Sequence, residues 1–142
     1  MRTAPLYTPA MLAAAVELAN YPPLPDAPLY GMSRSQTCGS TLAMDLALDG
    51  EAIADIGMTV HACAVGQASA AIFVRHAKGR SRTDIARMAT ALEDWLSRAA
   101  PLPEWPDLSL IAPARAFPAR HGAIMLPWKA ALTALSPATA SR

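Results

Sequence analysis

From Thr41 to Leu48 the chain alternates. Leu42, Met44, Leu46 and Leu48 fall on one face, and Ala43, Asp45, Ala47 and Asp49 on the other, the period of a half-buried strand. Asp49-Gly50 carries tight-turn chemistry, and the run Ile53 to Ala62 alternates again, with Ile56, Met58, Val60 and Ala62 opposite Asp55, Gly57, Thr59 and His61. This predicts an antiparallel hairpin. Helical periodicity replaces it from Ala64 to about His76, closed by Lys78-Gly79-Arg80, and Ser81-Arg82-Thr83-Asp84 opens a further helix whose stripe is Ile85, Met88, Leu92, Trp95 and Leu96.

Upstream, Thr8-Pro9 begins a helix in which Leu12, Val16 and Ala19 recur at helical spacing, widened by Met11, Ala15 and Leu18. Tyr21-Pro22-Pro23 ends it, and a proline-rich loop is expected to about Ser33. Five prolines between Pro101 and Pro118 predict turns and a short helix there. The last helical segment is expected from about Ala119 to Leu135, with Pro127 dividing it or marking a restart, and a frayed tail after Ser136. A hairpin followed by helices is an α+β order, a small antiparallel sheet with helices packed on one face.

At 142 residues and 53% hydrophobic composition, one domain with a substantial core is expected. A net charge of +1, from 12 basic and 11 acidic residues, offers no electrostatic case for nucleic acid or an anionic membrane, so proteins are the expected partners. The uncharged run from Ile56 to Val74 contains His61, Thr59, Gln67, Ser69 and two glycines, and reads as a buried strand joined to a buried helix rather than a membrane span. Pro5, Pro9 and Glu17 interrupt any signal-peptide core after Arg2, which favours a cytoplasmic protein. In that compartment two cysteines are reactive, buried or metal-bound more often than bridged.

Those cysteines are the candidate chemistry. Cys63 stands where the second hairpin strand passes into Ala64-Val65-Gly66-Gln67-Ala68-Ser69, at a helix start, where free backbone N–H groups and the dipole favour thiolate. Cys38 lies in Gln36-Thr37-Cys38-Gly39-Ser40, just before the first strand, so the hairpin brings the two thiols to one end. Arg120 is either a plain surface residue or a fixed charge that lowers a thiol pKa. His121 is either solvated or a metal donor, His61 shares parity with Cys63 and is either donor or sheet surface, and His76 at a helix end has no assigned chemistry.

Cys38-Gly39, the 25-residue step to Cys63, the Gly66-Gln67-Ala68-Ser69-Ala70 helix start, Arg120, and Leu126-Pro127-Trp128-Lys129-Ala130 together resemble the U-type iron-sulfur cluster scaffold family. That family comprises IscU, SufU and the amino-terminal domain of NifU, and the long segment after Cys63 looks most like SufU. The resemblance spans roughly Leu6 to Leu135. It implies the same α+β architecture, with Cys38, Cys63 and the start of the last helix converging at an exposed sheet end. It also implies a cysteine desulfurase and apo iron-sulfur acceptor proteins as partners. Family members have aspartate at Ser40 and a third cysteine, the usual sulfur acceptor, at Ala123, so two of the usual ligand positions are substituted.

The expected function is therefore iron-sulfur cluster assembly, as a scaffold or sulfur acceptor rather than an enzyme. Cys38 and Cys63 would be the sulfur-accepting and metal-binding groups, helped by Arg120, with a transient 2Fe-2S cluster or zinc as cargo. His121 is a compensating zinc ligand, and a homodimer is a way to assemble enough thiolates. Helix position favours Cys63 as the better nucleophile. Two other classes stay open: a degenerate scaffold acting as a protein-binding or regulatory module without a cluster, and a thiol redox protein cycling a Cys38–Cys63 disulfide.

Overall fold

A computed structural model describes residues 7–98 and 100–136; the expected frayed tail lies outside the described residues. The elements are α1 (Pro9–Val16), β1 (Leu29–Arg34), β2 (Thr41–Asp49), β3 (Ala52–His61), α2 (Ala64–Ala77), α3 (Arg82–Leu96) and α4 (His121–Leu135), with 3-10 turns at Glu17–Asn20, Leu108–Ala116 and Pro118–Arg120. The strands form an antiparallel sheet in the order β1-β2-β3. Helix α4 lies on β1 and β2, α2 packs on α4, and α1 and α3 flank the pair, which is the α+β arrangement with helices on one face.

The hairpin forms as the alternation predicts. Leu42, Met44 and Leu46 are buried against Met58 and Ile56, and Gly50 turns the chain at φ 64°. A register shift at Ala47/Leu48 interrupts the alternation and leaves Leu48 exposed. The opposite sheet face is crossed by the stretch from Tyr21 to Leu24. Met58 N–H donates to Tyr21 O at 3.0 Å, and Leu24 N–H to the buried carboxylate of Asp45 at 2.9 Å. Gly57 makes room for this crossing, because a Cβ there would lie 2.5 Å from Pro22 O.

Three expectations are corrected. The loop expected to Ser33 contains β1, which pairs Leu29 with Leu46 through Arg34 with Thr41. Its Gly31 sits so close to α4 that a Cβ would lie 2.2 Å from Ala130 O, so the strand gains its place by packing rather than propensity. In α1 the buried residues are Met11 and Ala14, while Leu12 and Val16 are 48% and 76% exposed. The segment is apolar all round, and periodicity alone cannot choose its inward face.

Pro127 neither divides nor restarts α4, which runs unbroken from His121 to Leu135. Proline removes the donor for the Ala123 carbonyl. Around it, the buried Ser69 hydroxyl of α2 donates to Ile124 O at 2.6 Å and Ser33 of β1 donates to Leu126 O at 2.7 Å, tying the turn to its neighbours. The proline-rich link before α4 is anchored by Trp105, whose indole N–H donates to Ile72 O at 3.0 Å. Its ring stacks on Phe73 with 5.4 Å between centroids and meets Trp128 edge-on at 5.2 Å.

Candidate functional site

The hairpin register pairs Thr41 with His61, so Cys38, three residues before β2, and Cys63, two residues after β3, leave the same end of the sheet. Cys38 rides a tight turn closed by Ser35 N–H to Ser40 O at 2.8 Å and Gly39 N–H to Ser35 O at 3.0 Å, with Gly39 at φ 72°. Ser35 and Ser40 are buried beneath it, and Cys38 is exposed. Its Sγ lies 3.3 Å from Ser35 Oγ and 3.0 Å from Ser40 Oγ, a cradle of two hydroxyls under one sulfur.

Two contacts fasten this turn to the start of α4. Thr37 Oγ1 donates to Ala119 O at 2.9 Å, and Gly122 presses so near Ser35 that a Cβ there would stand 2.5 Å from Ser35 Oγ. The same docking brings Arg120 to bear on the thiol. Partial burial of Cys38 pushes its pKa up, but the hydrogen bond its thiol donates to Ser35 Oγ, the one it shares with the Ser40 hydroxyl and one with the Ser40 backbone, together with the Arg120 charge, outweigh it. The thiol is held below its ordinary value.

Cys63 occupies the residue preceding α2, in extended conformation (φ −64°, ψ 170°), half-buried and packed against the core. Its carbonyl accepts from Gln67 N–H at 3.0 Å to begin the helix, but its side chain makes no capping hydrogen bond. The expected helix start is there. The exposed thiol with a lowered pKa is nevertheless Cys38.

Ala123 is fully buried and faces α2, where a Cβ on Gly66 would come within 3.4 Å of the Ala123 Cβ. Thus α4 presents a methyl group one turn along the helix from Cys63. His121, also at the start of α4, has Nε2 within 2.7 Å of Arg115 O and is held by that carbonyl. His61 is exposed at the end of β3. His76 stands apart, bonded through Nε2 to Asp107 at 2.8 Å, in a network where Arg75 bridges Glu17 and Asp107.

Among the described residues no three Cys, His, Asp or Glu side chains are grouped to hold a metal ion. The site combines two free thiols, two serine hydroxyls and one arginine at the sheet end. Neutral hydroxyls are poor ligands for iron or zinc, so the donor set of one chain does not fit a closed four-ligand shell. It does fit a nucleophilic, anion-tolerant sulfur. Ser35, Thr37 and Gly122 escaped the reading of the sequence. The spacing Ser-x-x-Cys-x-Ser was the available signal, but its meaning depends on the turn that folds it over one sulfur.

Comparison with solved structures places the chain beside two proteins of the same fold. The amino-terminal part of a nitrogen-fixing NifU-like protein from Brucella abortus is 26% identical, with a TM-score of 0.84 over 92% of each chain. An iron-sulfur cluster assembly scaffold protein for the SUF system, from the thermophile Fervidobacterium islandicum, is 20% identical, with a TM-score of 0.80 over 92% of this chain and 97% of that one. No protein-family model matches the sequence, and no curated protein sequence does either. The resemblance carried by Cys38-Gly39, Cys63 and Leu126-Pro127-Trp128 therefore extends to the fold over 92% of the chain, shared with a NifU-like protein and a SUF-system scaffold.

Proposed function

We propose that this chain, built on the fold of the U-type scaffolds, is an iron-sulfur cluster assembly protein that accepts sulfane sulfur from a cysteine desulfurase. It would hold iron and sulfur transiently for apo acceptor proteins, as a carrier rather than a turnover enzyme. The observation that carries this reading is the Cys38 sulfur, exposed above the Ser35 and Ser40 hydroxyls and under the influence of Arg120, on a fold shared with scaffolds.

Cys38 thiolate attacks the terminal sulfur of a donor persulfide. A new S–S bond forms at Cys38, the donor S–S bond breaks, and the donor leaves as its thiolate. The hydroxyls of Ser35 and Ser40 then donate to the sulfur they previously shared hydrogen bonds with, and Arg120 offsets the negative charge. Cys63, half-buried at the start of α2, supplies the second thiolate for iron. For zinc, His121 is the compensating donor, and its recruitment exchanges the bond to Arg115 O for a metal bond.

The test is anaerobic incubation with a cysteine desulfurase and cysteine, followed by mass spectrometry of the intact chain. The expected result is a gain of one sulfur in the wild type and in Cys63→Ser, and none in Cys38→Ser. Sulfur retained in Cys38→Ser would reject Cys38 as acceptor. Ala123 and Ser40 favour a second reading, a scaffold relative that binds partner proteins without loading sulfur or metal. It predicts desulfurase binding with no mass gain in any variant.

A further inference from the structure

Thr37, between the buried Ser35 and Cys38, is exposed, yet its hydroxyl is engaged on both sides. Oγ1 donates to Ala119 O at 2.9 Å and lies 3.3 Å from Ser35 Oγ. A hydroxyl carries one proton, and this one is committed to Ala119, so in the second contact Ser35 is the donor. In the resting turn the thiol donates to Ser35, Ser35 to Thr37, and Thr37 across to the segment that leads into α4. The series ends on a carbonyl, which passes no proton on. Its effect is to fix orientation.

What it orients is one peptide plane. Ala119 C=O and Arg120 N–H belong to the same planar unit. Thr37 holds the carbonyl, and the N–H donates to Phe117 O at 2.8 Å, so the plane is pinned at both ends. Among the described residues the Arg120 guanidinium has no carboxylate or hydrogen-bond partner of its own, so the direction in which the side chain leaves the backbone is set by that plane. Its charge nevertheless acts on Cys38.

We infer that Thr37 is a positioning residue for sulfur acceptance: by holding the Ala119 carbonyl it fixes the Ala119–Arg120 peptide and keeps the Arg120 charge beside the Cys38 sulfur. As a role in sulfur acceptance it rests on the function proposed above. Negative charge sits on Cys38 before the donor S–S bond breaks and on the terminal sulfur of the new persulfide afterwards, while the donor leaves as its thiolate. Both anions lie within the turn that Thr37 ties to Arg120. Removing the Thr37 hydroxyl has two effects of opposite sign. It frees Ser35 to donate to the sulfur, which favours the anion, and it frees the Ala119–Arg120 plane, which withdraws the positive charge. The first gives up a 3.3 Å contact and the second a 2.9 Å bond, so the second dominates. The start of α4 stays docked through Gly122 against Ser35 and His121 on Arg115 O, so the loss falls on the charge and not on the fold.

The experiment uses the full chain with Cys63→Ser, in which Cys38 is the only thiol. This parent is alkylated at one pH with anionic iodoacetate and with neutral iodoacetamide, and the ratio of the two rates is taken. The thiolate fraction cancels in that ratio, which leaves the local charge. Thr37→Val and Arg120→Gln are each expected to lower the ratio by about two- to fivefold, the size of one exposed charge interaction. Both are also expected to slow sulfur gain from the desulfurase in the intact-mass assay. Thr37→Ser keeps the hydroxyl and should behave as the parent. Added to Arg120→Gln, Thr37→Val should change the ratio no further, because the charge it positions is gone. Thr37→Ala, with the same expected ratio, serves as the second variant should valine lower the melting temperature. A ratio unmoved by the loss of the hydroxyl, or lowered equally with and without Arg120, overturns the inference, and so does faster sulfur gain in Thr37→Val. If the ratios fall as expected while the parent gains no sulfur, the positioning of Arg120 stands and the sulfur-acceptor reading alone fails.

Discussion

Gly122→Ala changes no donor and lies on a different element from Cys38, yet it should slow the chemistry of that thiol. The added Cβ would stand 2.5 Å from Ser35 Oγ and 3.2 Å from Ser35 Cβ. Contact with Cβ is relieved by a shift of a few tenths of an ångström, but contact with Oγ is relieved only by turning the hydroxyl away. The Ser35 hydroxyl now 3.3 Å from the Cys38 sulfur is then lost to it. A hydrogen bond to an anion at an exposed site sits near the low end of the usual range and is worth about a factor of ten in the thiol–thiolate equilibrium. Nucleophilicity rises as the thiol becomes more basic, with a Brønsted slope of about 0.4–0.5, so at a pH below the thiol's midpoint the tenfold loss of thiolate becomes about a threefold slower reaction.

The assay is the rate of iodoacetamide alkylation against pH in a Cys63→Ser background, where Cys38 is the only thiol. Gly122→Ala is expected to move the midpoint up, and Ser35→Ala to move it in the same direction. In the double variant Gly122→Ala should add almost nothing, because the atom it displaces is gone. Additive shifts would show that Gly122 acts by another route. An unmoved profile in Ser35→Ala would refute the role of the hydroxyl cradle.

Gly31→Ala should be far more damaging to stability than Gly50→Ala. The first drives a Cβ to 2.2 Å from Ala130 O and 2.4 Å from Ala134 N on α4, for a loss of about 3 kcal/mol or more in urea unfolding; the second meets no atom within 4 Å and bears only the strain of its positive φ, about 1 kcal/mol. Equal losses would contradict the packing of α4 on β1. Ser81→Ala removes half of the capping box at the start of α3, where Asp84 N–H donates to Ser81 Oγ at 3.2 Å, and is expected to cost about 1 kcal/mol in the same measurement. Arg75 holds the carboxyl of Glu17 below its ordinary value of 4.5, and His76, then Arg75, hold that of Asp107 below 3.8. Depressed carboxylates stabilise the fold above their unfolded values and lose that contribution as pH falls through the folded ones, so the melting temperature should drop on acidification below about pH 4.5. A Glu17→Gln, Asp107→Asn double variant should show a shallower drop, and an unchanged slope would remove the network from the acid response.

The hairpin, α2 and α3 were legible in the sequence because their signals are local. Two alternating runs flank Asp49-Gly50, small residues follow Cys63, and Ser81 and Asp84 form a capping box within one turn. That Cys38 and Cys63 leave the same end of the sheet followed from hairpin register alone. Strand β1 was not legible, since Leu29-Tyr30-Gly31-Met32-Ser33-Arg34 follows prolines and is stabilised by α4, whose closest residues lie about a hundred positions later. The inward face of α1 and the continuity of α4 through Pro127 likewise depend on partners from elsewhere in the chain, Ser33 and Ser69 among them. The cysteines of the site belonged to the sequence, whereas the surroundings that tune Cys38 belong to the tertiary structure. The local turn sets Ser35 and Ser40 under that sulfur, but Ala119, Arg120 and Gly122 at the start of α4 come to the turn through long-range contacts that no local pattern encodes.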